Sequence, residues 1–65
     1  MNKQNRFEVK ISLVNVAFDA DPRPEIRRIL ADLVERLHDN SDIYFLQDYN
    51  GNTVGSAAFG KAVYL

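Results

Sequence analysis

Apolar and polar positions alternate along the first part of the chain, beginning at residue 7. The apolar positions are Phe7, Val9, Ile11 and Leu13, and the intervening polar positions are Glu8, Lys10 and Ser12. A period of two predicts a β-strand with one buried face. The phase then reverses, because Val14 and Val16 are apolar and Asn15 is polar. The reversal indicates either a β-bulge or a strand end covered on both faces, and we expect a bulge within a strand over 7–17.

A helix is predicted to follow, because Asp21 suits an N-cap and Pro22 suits the first helical position. Apolar residues then recur three and four positions apart, which places them on one side of a helix. This apolar stripe consists of Ile26, Ile29, Leu30, Leu33, Val34 and Leu37. We predict that Leu30 is a core residue, and that Asn40 ends the helix in a left-handed conformation.

Two further strands are predicted over 43–47 and 53–59, the first of them rich in aromatic and branched residues. The order of elements is therefore β-α-β-β. Because the helix reverses the chain, strands one and two run in the same direction, and an antiparallel sheet needs strand three between them. Small residues over 55–58 would let the helix lie close to that central strand. We predict an α+β fold with a three-stranded antiparallel sheet of order 2-3-1 and one helix on one face. The predicted divisions are a flexible arm at 1–5, one domain at 6–60 and a C-terminal tail at 61–65.

The pair Asn50-Gly51 between strands two and three is typical of a hairpin turn. A two-residue turn would pair Gln47 with Val54. A type I turn with Gly51 in a left-handed bulge would instead pair Leu46 with Val54. We expect the second register, because it sets two apolar residues opposite each other and because Asp48 suits the first position of such a turn.

The chain has 65 residues, a net charge of −1 and no cysteine, which limits the classes of function. A chain this short must be stabilised by a small, well-packed core, by a partner, or by both. Its charge gives no overall attraction to nucleic acid or membrane. Without cysteine, it offers neither disulfides nor a thiolate metal site. With His38 as its one histidine, we do not expect a nitrogen-rich metal site either. No apolar run is long enough to span a bilayer and the first residues do not resemble a secretory signal, so we expect a cytoplasmic protein.

One segment has the frame of a phosphate-binding loop, Gly55-x-x-x-x-Gly60-Lys61. The motif requires Ser or Thr next, where this chain has Ala62, and then a helix whose amides hold phosphate. The segment 48–52 also fails as a calcium loop, because its glycine is misplaced and no glutamate follows. One helix on three strands offers no deep cleft. We therefore predict no catalytic, cofactor-binding or metal-binding residues, and a protein that is not an enzyme.

Basic residues gather at the start of the helix, where Arg23, Arg27 and Arg28 lie within two turns. Such a cluster can contact phosphates of a nucleic acid. Neighbouring carboxylates dilute its field, and nucleic-acid modules usually carry an excess of basic residues. Nucleic-acid contact through these arginines is therefore the alternative hypothesis.

The aromatic residues outnumber what one small helix can cover. Tyr44 and Phe45 are adjacent in a strand, so they point to opposite faces and one of them lies on the open face. Exposed aromatic patches favour protein contacts. We predict that aromatic and acidic surface residues bind a partner protein. The candidate residues are Tyr44, Tyr49, Tyr64, Asp39 and Asp42.

Strands one and two are both edges in the order 2-3-1. Strand one is the longer, and its segment 13–17 carries no charge that would discourage pairing with another chain. We therefore predict a homodimer or an edge-on complex, with strand one as the contact.

The combination of Asn15-Val16-Ala17-Phe18, a helix that begins with proline, and Asn50-Gly51-Asn52 followed by Val54-Gly55 and Phe59 resembles small phage and prophage proteins of mobile elements. The resemblance covers residues 7–59 and rests on structural motifs. It implies a binding function toward a host or phage protein in the host cytoplasm. Some small phage proteins inhibit host defence systems, anti-CRISPR proteins among them, so the resemblance also implies a possible inhibitor. A homodimeric structural protein is a further alternative.

Overall fold

The structure, a computed structural model, describes residues 5–60. Its elements are β1 (Arg6–Ile11), a short 3-10 helix (Val16–Phe18), α1 (Pro22–Arg36), β2 (Ile43–Gln47) and β3 (Thr53–Gly60). Strand β3 lies between β1 and β2 and is antiparallel to both. The predicted α+β fold and its strand order are therefore confirmed. Residues 1–4 of the predicted arm and the predicted tail at 61–65 lie outside the described residues.

The first strand is shorter than predicted, because β1 ends at Ile11. The expectation of a bulged strand reaching residue 17 is wrong. The side-chain amide of Asn15 donates to the Asp48 carboxylate at 2.9 Å. The chain then turns through the 3-10 helix, which brings Phe18 into the core with 4% of its surface exposed. The reversal of the apolar pattern thus marks the end of a strand.

Helix α1 begins as predicted. The Asp21 carboxylate accepts a hydrogen bond from the Arg23 amide at 3.1 Å, and Pro22 occupies the first helical position. The helix ends at Arg36 with Leu37 as its cap, whose amide donates to the Leu33 carbonyl. The prediction of a left-handed Asn40 is wrong, since no residue other than glycine has a positive φ within 5–60.

The core lies between α1 and one face of the sheet. Its buried apolar residues are Phe18, Ile29, Leu33, Tyr44, Leu46, Val54 and Ala57. Leu30 is 39% exposed, so the prediction that it is a core residue is wrong. Successive helical residues are about 100° apart, and Ile29 rather than Leu30 points at the sheet. The apolar stripe is wider than the surface that it covers.

The hairpin combines the predicted turn with an unpredicted register. The Gly51 amide donates to the Asp48 carbonyl at 3.0 Å, and Gly51 has a φ of 84°, which confirms a turn with a left-handed glycine. However, Leu46 lies opposite Gly55, because the pairing shifts by one residue between Leu46 and Gln47. The predicted pair of Leu46 with Val54 is therefore wrong. The irregularity lets both of these side chains reach the core.

The sheet has one face toward the helix and one open face. The side chains of Phe7, Val9 and Ile11 lie on the helix side of the sheet. Val9 pairs with Ala57, which is buried on that side. The helix packs mainly on β2 and the 3-10 helix, so β1 is poorly covered. The rings of Phe7 and Phe59 lie 4.7 Å apart and are 39% and 41% exposed.

Candidate protein-binding surface

Three of the predicted partner-binding residues come together at one end of β2. Asp39, Asp42 and Tyr44 line an open depression of about 250 Å³, together with Leu37 and Phe59. The chain enters this region where α1 ends and β2 begins, so the helix-to-strand turn supplies both carboxylates. The depression is shallow and open, and its chemistry is that of a polar turn beside two apolar side chains.

Tyr44 is a core residue that exposes little of its surface to the depression. It is 4% exposed, and its hydroxyl donates to the Asp39 carbonyl at 3.1 Å. Burial raises the pKa of Tyr44, and the hydrogen bond to Asp39 raises it further. The Arg36 guanidinium lies 5.8 Å from the centre of its ring. The aromatic residue on the open face is Phe45, which is 56% exposed.

Asp39 organises the turn before β2. Its carboxylate accepts a hydrogen bond from the Ser41 amide at 3.0 Å. This bond is the main reason that the pKa of Asp39 lies below its ordinary value. Asp39 thus has a structural role in the turn, whichever partner the depression receives.

Tyr49 lies at the opposite end of β2, in the hairpin, and is 62% exposed. Its side chain is therefore far from the depression formed by Asp39 and Asp42. Tyr64 lies outside the described residues. The structure thus separates the predicted partner-binding set into two ends of the sheet and a part of the chain that it does not describe.

The hairpin end carries several exposed apolar side chains, among them Val14, which has the highest fractional exposure of the large apolar residues described. Leu13, Val14 and Val16 are 45%, 86% and 66% exposed, and they follow one another in the segment after β1. The Asn15–Asp48 hydrogen bond holds this segment beside the hairpin that carries Tyr49. We call Leu13, Val14, Val16 and Tyr49 the apolar tip.

Asp48 is the residue that fixes the apolar tip. It is 4% exposed, and its carboxylate accepts hydrogen bonds from the Asn15 and Asn52 side chains and from the Asn50 and Asn52 amides. These bonds, with that of Asn15 the strongest influence, lower the pKa of Asp48. Within residues 5–60, no buried side-chain nitrogen or oxygen lacks a hydrogen-bond partner.

A second buried carboxylate joins the helix to the same hairpin. Glu25 is 8% exposed and accepts two hydrogen bonds from Arg28, at 3.0 and 2.9 Å, and one from the Tyr49 amide at 2.8 Å. The Arg28 guanidinium also donates to the Gln47 carbonyl at 2.8 Å. The mutual hydrogen bonds lower the pKa of Glu25 and raise that of Arg28. Helix, strand and turn are thus held by one charged cluster.

The three arginines proposed for nucleic-acid contact differ in the hydrogen bonds and ion pairs that they already form. Arg28 is committed to Glu25 and to the Gln47 carbonyl. Arg23 forms an exposed ion pair with Asp21 at 3.1 Å. Arg27 makes no ion pair with the described residues. The cluster therefore offers less uncompensated positive charge than the sequence suggests.

Sequence reasoning missed the roles of Asn15 and Glu25, the hydrogen bond between Asn15 and Asp48, and the apolar tip. The loss of the alternating pattern after Leu13 was a usable signal, because it follows the end of β1 at Ile11 by two residues. An aspartate before Asn50-Gly51 is also a recognisable turn signal. No local pattern indicated that Glu25 is buried, because its partners come from the hairpin.

The glycines of the phosphate-loop frame lie in a strand, because Gly55 and Gly60 both belong to β3. Lys61 lies outside the described residues. Within residues 5–60, no cluster of three or more His, Cys, Asp or Glu side chains could hold a metal ion.

No helix in the described part of the chain is long and apolar enough to cross a membrane.

Comparison with protein-family models, with curated proteins and with solved structures found no match to this chain.

Proposed function

We propose that the protein is a small non-enzymatic protein-binding module that contacts its partner through the apolar tip. The observation that carries the proposal is the exposure of branched apolar side chains there, with Val14 at 86%. Covering such surface stabilises a complex by about 25 cal/mol per Å². Grouped exposed apolar residues in a small protein favour protein contacts.

The apolar tip is held in place before binding. Asn15 lies between the exposed valines, and its hydrogen bond to the buried Asp48 ties the segment to the hairpin. The hairpin is in turn tied to α1, because the Tyr49 amide donates to Glu25. A surface that is already ordered loses less conformational entropy when a partner binds.

The chemistry of the tip points to an apolar recess on another protein. None of its four side chains is charged. Tyr49 adds an aromatic ring with a polar hydroxyl, and tyrosine is enriched in protein interfaces. A host or phage protein is the partner that the resemblance to phage and prophage proteins implies. Inhibition of a host defence system such as CRISPR is the finer role that we propose on the same resemblance.

Nucleic-acid contact through Arg23, Arg27 and Arg28 is less well supported. Two of the three guanidinium groups already pair with carboxylates. Binding through these arginines would weaken strongly with salt, because phosphate contacts release counterions. Binding through the apolar tip would change little with salt.

The proposal is tested by capture from host lysate, with and without nuclease, using the wild type, two matched valine variants and Arg27→Glu. Val14→Asp places a charge in the apolar tip. Val34→Asp makes the same change at another exposed valine, which is 64% exposed on α1. Neither position is buried, so both variants are expected to fold, and circular dichroism checks this.

We expect a nuclease-resistant partner that Val34→Asp retains and Val14→Asp loses. A partner that disappears with nuclease, or that both valine variants capture equally well, would contradict the proposal. Loss of capture in Arg27→Glu alone would favour the nucleic-acid alternative.

A further inference from the structure

The outer edge of β1 presents a regular row of unpaired backbone groups. The Ser12 amide donates to the Val54 carbonyl, so even-numbered residues of this ladder face β3. Hydrogen-bonding direction alternates along an antiparallel strand. The N–H and C=O groups of Phe7, Val9 and Ile11 therefore point away from the sheet, and no hydrogen bond to them appears within the described residues.

The outer edge of β2 is protected by comparison. The Phe59 amide donates to the Asp42 carbonyl, so even-numbered residues of β2 face β3 and odd-numbered ones point outward. The outward carbonyl of Gln47 accepts a hydrogen bond from the Arg28 guanidinium at 2.8 Å. An edge that is occupied by a charged side chain is poorly suited to pairing. The outward groups of Ile43 and Phe45 have no hydrogen-bond partner within the described residues, so β2 is protected only at its Gln47 end, whereas β1 is open along its whole length.

We propose that β1 pairs with β1 of a second copy of this chain, antiparallel and centred on Val9. In this register, Val9 lies opposite Val9 of the second copy, and Phe7 lies opposite Ile11. Every outward N–H and C=O group of these three residues then forms a hydrogen bond. The two sheets join into one continuous sheet across a two-fold axis.

The charges on the open face select this register. Glu8 and Lys10 occupy the positions between the outward residues and are both exposed. Centring on Val9 sets Glu8 of each copy against Lys10 of the other, at non-hydrogen-bonded sites where side chains are closest. Shifting the centre to residue 8 sets Glu8 against Glu8, and shifting it to residue 10 sets Lys10 against Lys10. Like charges directly opposite each other destabilise a pair.

A register centred on Phe7 is disfavoured for a different reason. It sets Arg6 against Glu8, which is favourable, but it aligns only the first half of β1. Ile11 then has no strand partner within the described residues. The register centred on Val9 uses the whole strand and satisfies its charges as well.

The pairing also covers apolar surface that α1 leaves open. Phe7 and Val9 are 39% and 40% exposed on the helix side of the sheet. In the proposed dimer, Val9 meets Val9 of the second copy, and Phe7 meets Ile11. A 65-residue chain without disulfides has a small core, so additional apolar burial is valuable to it.

Charge variants of the full chain test the pairing by sedimentation at increasing concentration. Glu8→Lys and Lys10→Glu each create like-charge pairs at the two-fold axis, and each is expected to weaken dimerisation about tenfold. The double swap E8K/K10E restores opposite charges and is expected to restore the dimer. These side chains are exposed, so the variants should fold, and melting curves at low concentration check this.

The register is tested separately by cysteine cross-linking, since the natural chain has no cysteine. A mixture of the Glu8→Cys and Lys10→Cys chains is expected to form a mixed disulfide, because these positions are opposite in the proposed register. Each variant alone should cross-link at least several-fold more slowly. Mass spectrometry of the intact disulfide-linked dimers distinguishes the products.

Two results would overturn the inference. One is a wild-type protein that remains a monomer at concentrations up to about 1 mM. The dissociation constant of the dimer would then exceed about 1 mM, and the pairing would be negligible. The other is a dimer in which Glu8→Cys or Lys10→Cys alone cross-links as fast as the mixture, because the register would then be different. Restoration by the double swap, together with the mixed disulfide, would support both the surface and the register.

Discussion

The hydrogen bond from Asn15 to Asp48 sets the position of the segment that follows β1. Without it, the apolar positions around Asn15 could continue the strand on either face. With it, the segment after Ile11 is tied to the hairpin, and its valines are left exposed. One buried carboxylate thus holds the segment after β1 beside the hairpin and positions the apolar tip.

Gly55 has an equally local effect on the sheet. A Cβ atom at this position would clash with the Lys10 carbonyl oxygen of the neighbouring strand. Backbone atoms cannot move away as the end of a flexible side chain can. The close approach of β3 to β1 at the irregular end of the sheet therefore depends on glycine.

We predict that Gly55→Ala destabilises the protein by about 2–3 kcal/mol, within the range for a substitution that forces a backbone shift. Gly60→Ala is the matched control, because a Cβ there meets nothing within 4 Å. It should change stability by less than about 0.5 kcal/mol. Urea unfolding of both variants is the measurement, and equal effects would show that the contact with Lys10 is not limiting.

Helix α1 illustrates how an element can be predicted correctly and oriented incorrectly. Its start at Pro22 and its cap at Asp21 are confirmed, and the apolar stripe lies within the helix. The stripe alone could not show which of its residues point at the sheet, because it spans a wide sector of the helix. The tertiary structure buries Ile29 and Leu33 and leaves Leu30 at the margin.

Truncation of neighbouring helix residues tests this orientation. Ile29 is 2% exposed, and Ile29→Ala should cost about 2–5 kcal/mol from lost burial and the cavity that remains. Leu30→Ala should cost about 1 kcal/mol or less, because Leu30 is 39% exposed. Thermal melting distinguishes the two, and a larger effect at Leu30 would contradict the orientation of the helix.

At the scale of the whole molecule, carboxylates rather than apolar contacts alone join the elements. Glu25 links α1 to the hairpin, and Asp48 links the hairpin to the segment after β1. Asp39 shapes the turn between α1 and β2. In all three the pKa is lowered in the folded protein, chiefly by Arg28, by Asn15 and by the Ser41 amide respectively.

We predict that these groups make the protein sensitive to acid. A carboxyl whose pKa is lower in the folded than in the unfolded state stabilises the fold at pH values above its unfolded pKa. Stability should therefore be nearly constant above about pH 5 and should fall as the pH drops through about 4 and below. The measurement is the melting temperature between pH 7 and pH 2.

The Asp48→Asn variant isolates the contribution of Asp48 to the acid sensitivity of the fold. The variant should melt at a lower temperature at pH 7, because an amide accepts fewer hydrogen bonds than a carboxylate. Its melting temperature should then fall less steeply below pH 4, because one of the three groups is gone. A slope identical to that of the wild type would exclude Asp48 as a source of the acid sensitivity.

The candidate site was only partly predictable. Tyr49 was identified as a surface aromatic and is exposed, because a hairpin turn leaves its middle residues in solvent. Tyr44 was placed in the same set, yet it is buried, because alternation assigns two adjacent residues to opposite faces without saying which face the helix covers. Val14 was assigned to a strand, and its exposure follows from a hydrogen bond between residues 33 positions apart.

The sequence by itself determined the elements and their order. Periods of two and of three to four residues, the Asp21-Pro22 start and the Asn50-Gly51 turn are local signals, because propensity, capping and turn geometry depend on neighbouring residues. These signals also required β3 to be the central strand. The tertiary structure alone decided the end of β1, the shifted pairing of Leu46 and the burial of Glu25. Each of these depends on contacts between residues distant in the chain, and such contacts compete with local preference only after the elements have packed.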